Sequence, residues 1–132
     1  MTPQRRLTPA RAATVLALLV GLPISAGAQI SPNCQRNGRH AYCAVTPRQD
    51  QGQANTVIEV ITFADHTMVE ARRNEGSCKP IAEHIISCKA SLTVRPGSGQ
   101  AISATYRGTS YEGGYTNTYV AKGLQLSYSV LD

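Results

Sequence analysis

Two stretches of the chain alternate strictly between apolar and polar residues. Between 85 and 95, Ile86, Cys88, Ala90, Leu92 and Val94 fall on one side, and Ser87, Lys89, Ser91, Thr93 and Arg95 on the other. Between 124 and 130, Leu124, Leu126, Tyr128 and Val130 oppose Gln125, Ser127 and Ser129. A period of two over this length predicts strands with one wet face. Residues 57–63, VIEVITF, are β-branched and apolar on both sides, which predicts a central strand. Residues 64–67 read as a turn, MVEARR as the hairpin partner of that strand, and HAYCAVT (40–46) as a first strand. Breakers recur at 47–52, 65–66, 74–80, 96–99, 113–114 and 122–123. Together these predict an all-β, mostly antiparallel sandwich or barrel of six to seven strands, one sheet layer against another. No window has a helical period; the best case for a short helix is 79–84, with Pro80 in its first turn.

The fourteen residues YRGTSYEGGYTNTY, 106–119, hold four of the six tyrosines. Their register decides which rings face the core. A two-residue turn at Gly113-Gly114 gathers Ile102, Ala104, Tyr106, Tyr119 and Ala121 on one face, with Tyr119 lying over Gly108. Arg107, Thr109, Tyr111, Thr116, Thr118 and Val120 then lie on the other. A three-residue loop, 112–114, puts Tyr111, Tyr115 and Tyr119 on one face with Arg107, a platform for sugar or peptide. That arrangement strips apolar area from the core, so the pattern favours the two-residue turn. Tyr111 and Tyr115, with Arg107 nearby, are the candidate ligand contacts.

The N-terminus changes the domain reading. Arg5, Arg6 and Arg11 precede an apolar run from Ala12 to Leu22, then Pro23 and the small-x-small triplet Ala26-Gly27-Ala28. This is the pattern of a cleaved signal peptide over 1–28. The run is about half the ~20 apolar residues that a spanning helix needs. Residues 29–132 then form a single all-β domain that is secreted or periplasmic, with no stable membrane insertion after cleavage. The leader carries three of the thirteen basic residues and none of the eight acidic ones, leaving ten against eight. No basic run exceeds Arg72-Arg73, so a nucleic-acid footprint is missing.

Cys34, Cys43, Cys78 and Cys88 all follow the leader. An even count in a small exported chain reads as two disulfides, and the x8 and x9 spacings do not suit zinc knuckles. The favoured pairing is Cys34–Cys43 and Cys78–Cys88, the first closed by a loop at 37–40 that puts 34 opposite 43. The three histidines, His40, His66 and His84, show no metal-ligand spacing. No nucleophile elbow is present, and GSGQ at 97–100 lacks the Lys-Ser/Thr ending of a phosphate loop. Glu59, Glu70, Glu83 and Glu112 are the carboxylates available for glycoside cleavage, and a lone glutamate on an outward strand position is solvated. These features imply no cofactor, no metal and no catalytic residue. They describe a non-catalytic binding or interaction module for a protein or carbohydrate partner. Two alternatives remain. One is an envelope-associated structural subunit pairing through the edges of 57–63 or 124–131. The other is an inhibitor of a secreted enzyme that uses the 74–80 loop.

Overall fold

A computed structural model describes residues 32–49, 54–97 and 99–131; the expected signal peptide lies outside them. The fold is all-β and every strand pair is antiparallel. The ten strands among the described residues are β1 (Asn33–Arg36), β2 (Arg39–Ala41), β3 (Cys43–Gln49), β4 (Thr56–Phe63) and β5 (Met68–Asn74), then β6 (Lys79–Ala82), β7 (Ile85–Arg95), β8 (Ala101–Tyr111), β9 (Gly114–Ala121) and β10 (Leu124–Leu131). The count exceeds the six to seven expected, because β1, β2 and β6 are only three or four residues long. Strands this short are too brief to carry a visible alternation.

One sheet holds them all, in the order β2-β1-β10-β9-β8-β7-β5-β4-β3, with β6 paired to β7 off this path. The two ends of that order, β2 and β3, are consecutive in the chain and separated only by Tyr42. A single bent stretch therefore bonds β1 with its first half and β4 with its second, and the sheet curls into a nearly closed barrel. The barrel encloses one core, so the expected two-layer stacking is replaced by a single sheet wrapped on itself. Across the seam, Arg36 bonds Asp65 at 2.9 Å and its guanidinium lies 4.5 Å from the Phe63 ring centre. The Arg36 hydrogen bond, helped by the Thr67 amide, lowers the Asp65 pKa to about 2. Strand β10 is paired on both sides, by β9 and β1, and β4 by β3 and β5. Neither is the free edge that an edge-pairing subunit needs.

The alternations set what fills the barrel. Leu92 and Cys88 of β7, Leu126 and Tyr128 of β10, Tyr106 and Ala104 of β8, and Tyr119 of β9 are buried together. Cys34, Val45, Ile61, Phe63, Val69 and Ala71 complete this core from β1, β3, β4 and β5. Residues 79–84, the candidate helix, are instead β6 and a tight turn in which His84 takes a positive φ of 67°. A short helical turn lies earlier, a 3-10 turn at Glu75–Ser77 that Asn74 caps through its side chain.

The structure pairs Cys34 with Cys43 and Cys78 with Cys88. Cys78 extends the β6–β7 register, in which Lys79 faces Ser87, and so reaches Cys88 directly. Cys34 faces Ala41 rather than Cys43, because the loop is the two-residue turn Asn37-Gly38 with positive φ at both positions. Two disulfides suit an oxidising, extracytoplasmic setting.

Candidate functional site

The β8–β9 hairpin turns one residue earlier than expected. Tyr111 pairs with Gly114, so the loop is Glu112-Gly113, with Gly113 at φ 91°. Gly114 opens β9 instead, where an added Cβ would strike the Val130 carbonyl. The pairing shift of two residues preserves the faces. Tyr106 and Tyr119 both point inward, directly opposed, with ring centres 5.2 Å apart. Gly108 faces Asn117, and the ring over it is that of Tyr106 rather than Tyr119. A Cβ on Gly108 would lie 2.5 Å from the Tyr106 hydroxyl, so the glycine leaves room for that hydroxyl to stand upright.

Upright, the Tyr106 hydroxyl donates to Asn117 Oδ1 at 2.7 Å, and Asn117 Nδ2 donates to the Tyr128 hydroxyl at 2.9 Å. Tyr128 in turn donates to Glu59 Oε2. The other carboxylate oxygen, Oε1, accepts from Tyr119 at 2.5 Å and from Arg73 Nη1 at 3.1 Å. Arg73 Nη1 also donates to the Tyr119 oxygen at 3.0 Å, and its guanidinium carbon lies 4.4 Å from the centre of the Tyr106 ring. Six side chains from β4, β5, β8, β9 and β10 thus form one connected polar network inside the barrel. Glu59 and Asn117 are each only 7% exposed.

Glu59 is inward because it shares the period-two face of Ile61 and Phe63; the expected solvated glutamate is a buried one. Arg73 follows Val69 and Ala71 inward on β5 by the same rule. Burial raises the phenols of Tyr119, Tyr128 and Tyr106, with the Glu59 charge adding to the effect. All three hydroxyls therefore stay protonated and act as donors. For Arg73, burial opposes the charge. Tyr119, Tyr106 and Glu59 outweigh it and hold the pKa above the ordinary arginine value. The network contains one anion and one cation, and is neutral.

Above this network the barrel end opens into a cavity of about 550 Å3. Glu59, Arg73, Asn117, Tyr106 and Tyr128 form its floor, and Tyr115 lines one side. The β6–β7 hairpin supplies an apolar wall of Pro80, Ala82, Ile85 and Ile86, which the Cys78–Cys88 bridge ties to β7. His84, Thr109 and Ser110 stand at the lip, with His84 Nε2 3.4 Å from Glu83. An apolar chamber of this size over a few convergent polar groups has the makeup of a small-molecule site.

The three predicted contact residues do not converge. Tyr115 is half-buried, packs against the core and lines the cavity. Tyr111 faces outward, 43% exposed, with its hydroxyl 3.0 Å from Thr116 Oγ1. Arg107 is exposed on the same outer face, between Thr118 and Ser87. Of the other carboxylates, Glu70 faces outward between Arg48 and Arg72, while Glu83 and Glu112 sit in turns. His40 packs edge-on against Tyr42 at 4.9 Å, and His66 occupies the β4–β5 turn. Among the described residues no three His, Cys, Asp or Glu side chains converge as metal ligands. No known protein family matches the chain, and no curated protein or solved structure is significantly similar to it.

Proposed function

We propose that this protein is an exported, non-catalytic binding module that holds a small, largely apolar molecule in the open end of its barrel. The observation that carries this reading is a cavity floored by a buried Glu59–Arg73–tyrosine network where an apolar plug would suffice for folding. A buried ion pair is usually no more stabilising than well-packed hydrophobic residues of the same volume. Its position beneath a cavity supports a role in recognition rather than stability. All the hydroxyl protons on the floor go to other floor residues, and no nucleophile is paired with a base there, which favours binding over catalysis.

Export rests on the N-terminal pattern of residues 5–28 and on the two disulfides. The outer wall supports a life in water. Ser87, Lys89 and Ser91 of β7, Thr105 and Arg107 of β8, and Thr116 and Thr118 of β9 face out, while Cys88, Leu92, Ala104, Tyr106 and Tyr119 of the same strands face in. A membrane-spanning barrel shows the reverse pattern.

The test is a fragment screen by NMR on the protein of residues 29–132, repeated on Ala82→Trp, which fills the cavity from its exposed wall. Hits that bind the parent and are lost in the variant, with unchanged thermal stability, support the reading. Hits whose affinity is the same in both proteins contradict it.

A further inference from the structure

Resting on that reading, we infer that the cavity takes a neutral carbonyl compound, a ring system bearing one uncharged hydrogen-bond acceptor that Arg73 receives. The inference comes from counting donors and acceptors on the floor. The hydroxyl protons are spent: those of Tyr119 and Tyr128 go to Glu59 and that of Tyr106 goes to Asn117. Glu59 receives three donors and has little to offer a ligand. The surplus is on the nitrogen side. Among the described residues, the hydrogen bonds of Arg73 leave from Nη1, and Nε approaches Glu75 at 3.7 Å. The Nη2 group, with two N–H donors, holds no side-chain partner among the described residues. Asn117 Nδ2 uses one of its two protons on Tyr128. With the hydroxyl protons spent, the donors left to a ligand are N–H groups of Arg73 and Asn117, and these select an acceptor.

Charge narrows the class further. Glu59 and Arg73 cancel each other at 3.1 Å. An anionic ligand would meet Glu59 on the floor, Glu75 beside Arg73 and Glu83 by the lip. A cationic one would be held off by Arg73. A ketone, enone, lactone or amide places a partial negative charge on the guanidinium without adding a full one. Its ring body matches the wall of Pro80, Ala82, Ile85 and Tyr115.

The experiment uses four probes on one ring skeleton: acetylnaphthalene, ethylnaphthalene, naphthoate and naphthylmethylammonium. Each is titrated into the wild-type protein with side-chain arginine and backbone NMR detection, so no variant needs to fold. The expected result is that the ketone binds about tenfold tighter than the hydrocarbon, the gain from one hydrogen bond to a charged donor. Both ions bind more weakly than the ketone, and the ketone alone shifts the Arg73 guanidinium resonances. Equal affinity of ketone and hydrocarbon overturns the carbonyl assignment while leaving the cavity a binding site. So does a preference for naphthoate or the ammonium, or an Arg73 signal that stays still while the ketone binds. Failure of all four probes to shift any cavity residue overturns the binding reading itself.

Discussion

Tyr119 and Glu59 lie sixty residues apart in the chain and meet inside the barrel, hydroxyl to carboxylate, at 2.5 Å. The contact joins β9 to β4 across the interior. It exists because two alternations, read from different ends of the domain, both point inward at the same height. Tyr119 is fully buried, so its hydroxyl needs a partner, and Glu59 is the acceptor that the fold brings to it.

Removing one ion partner strands the other in the interior. Glu59→Ala is expected to lower stability by about 3–5 kcal/mol, and Arg73→Met by a similar amount. The double variant Glu59→Ala/Arg73→Met recovers most of that loss, because no charge then lacks a partner. Urea denaturation of the three variants checks this. Losses that simply add in the double variant would show that the two residues act independently.

Gly108 and Tyr106 form a second testable pair. Gly108→Ala pushes a methyl group into the Tyr106 hydroxyl and breaks its bond to Asn117, for an expected loss of about 1–3 kcal/mol. Adding Tyr106→Phe deletes the clashing oxygen and makes the alanine less costly than it is in the parent background. A double-mutant cycle by thermal unfolding measures the coupling, and a coupling near zero would contradict the geometry.

The buried phenols make stability pH-dependent at the alkaline end. Unfolding returns Tyr119, Tyr128 and Tyr106 to the ordinary value of 10.0, whereas folded they hold their protons to higher pH. Their contribution is therefore complete below about pH 10. Above it the unfolded chain sheds protons that the folded chain keeps, and stability falls by up to about 1.4 kcal/mol per pH unit for each phenol. Asp65 acts at the other end. Its lowered pKa stabilises the fold above about pH 4, and that gain is lost as pH falls toward 2. Urea midpoints that stay flat between about pH 9.5 and 11.5 would contradict the phenol burial.

The faces of the barrel were more legible in the sequence than its pairings. Stretches 85–95 and 124–130 show their inward residues by strict alternation, and Tyr106 and Tyr119 fall inward under any pairing shift of two residues. The actual shift depended on which glycine makes the turn. Gly113 supplies the one positive φ, and Gly114 is small because β10 lies close, a requirement visible only once that strand is in place. Glu59 was hidden for another reason. VIEVITF is apolar on both faces, so its inward side could be read only by anchoring Ile61 and Phe63 to the core first. Arg73 was obscured by its neighbour Arg72, since two adjacent arginines read as a solvated pair until the strand sends one in and one out.

The β6 wall depends on its bridge. Replacing Cys78 and Cys88 together by Ser is expected to cost about 2–4 kcal/mol. It should also raise hydrogen exchange most at 79–86, the hairpin that walls the cavity, with less effect at 124–131. Uniform exchange across both segments would show that the bridge does not hold that wall in particular.

Tyr115 and Tyr111 separate the cavity from the outer face of the same hairpin. The most direct measurement is the affinity of one cavity-binding probe for the parent, Tyr115→Ala and Tyr111→Ala proteins, by isotope-edited NMR with shifts mapped onto the fold. The expected result is shifts centred on Arg73, Asn117, Ile85 and residue 115, binding weakened about tenfold or more by Tyr115→Ala, and binding unchanged by Tyr111→Ala. Shifts centred on Tyr111 and Arg107, with affinity lost in Tyr111→Ala and kept in Tyr115→Ala, would move the site to the outer face and contradict the cavity account.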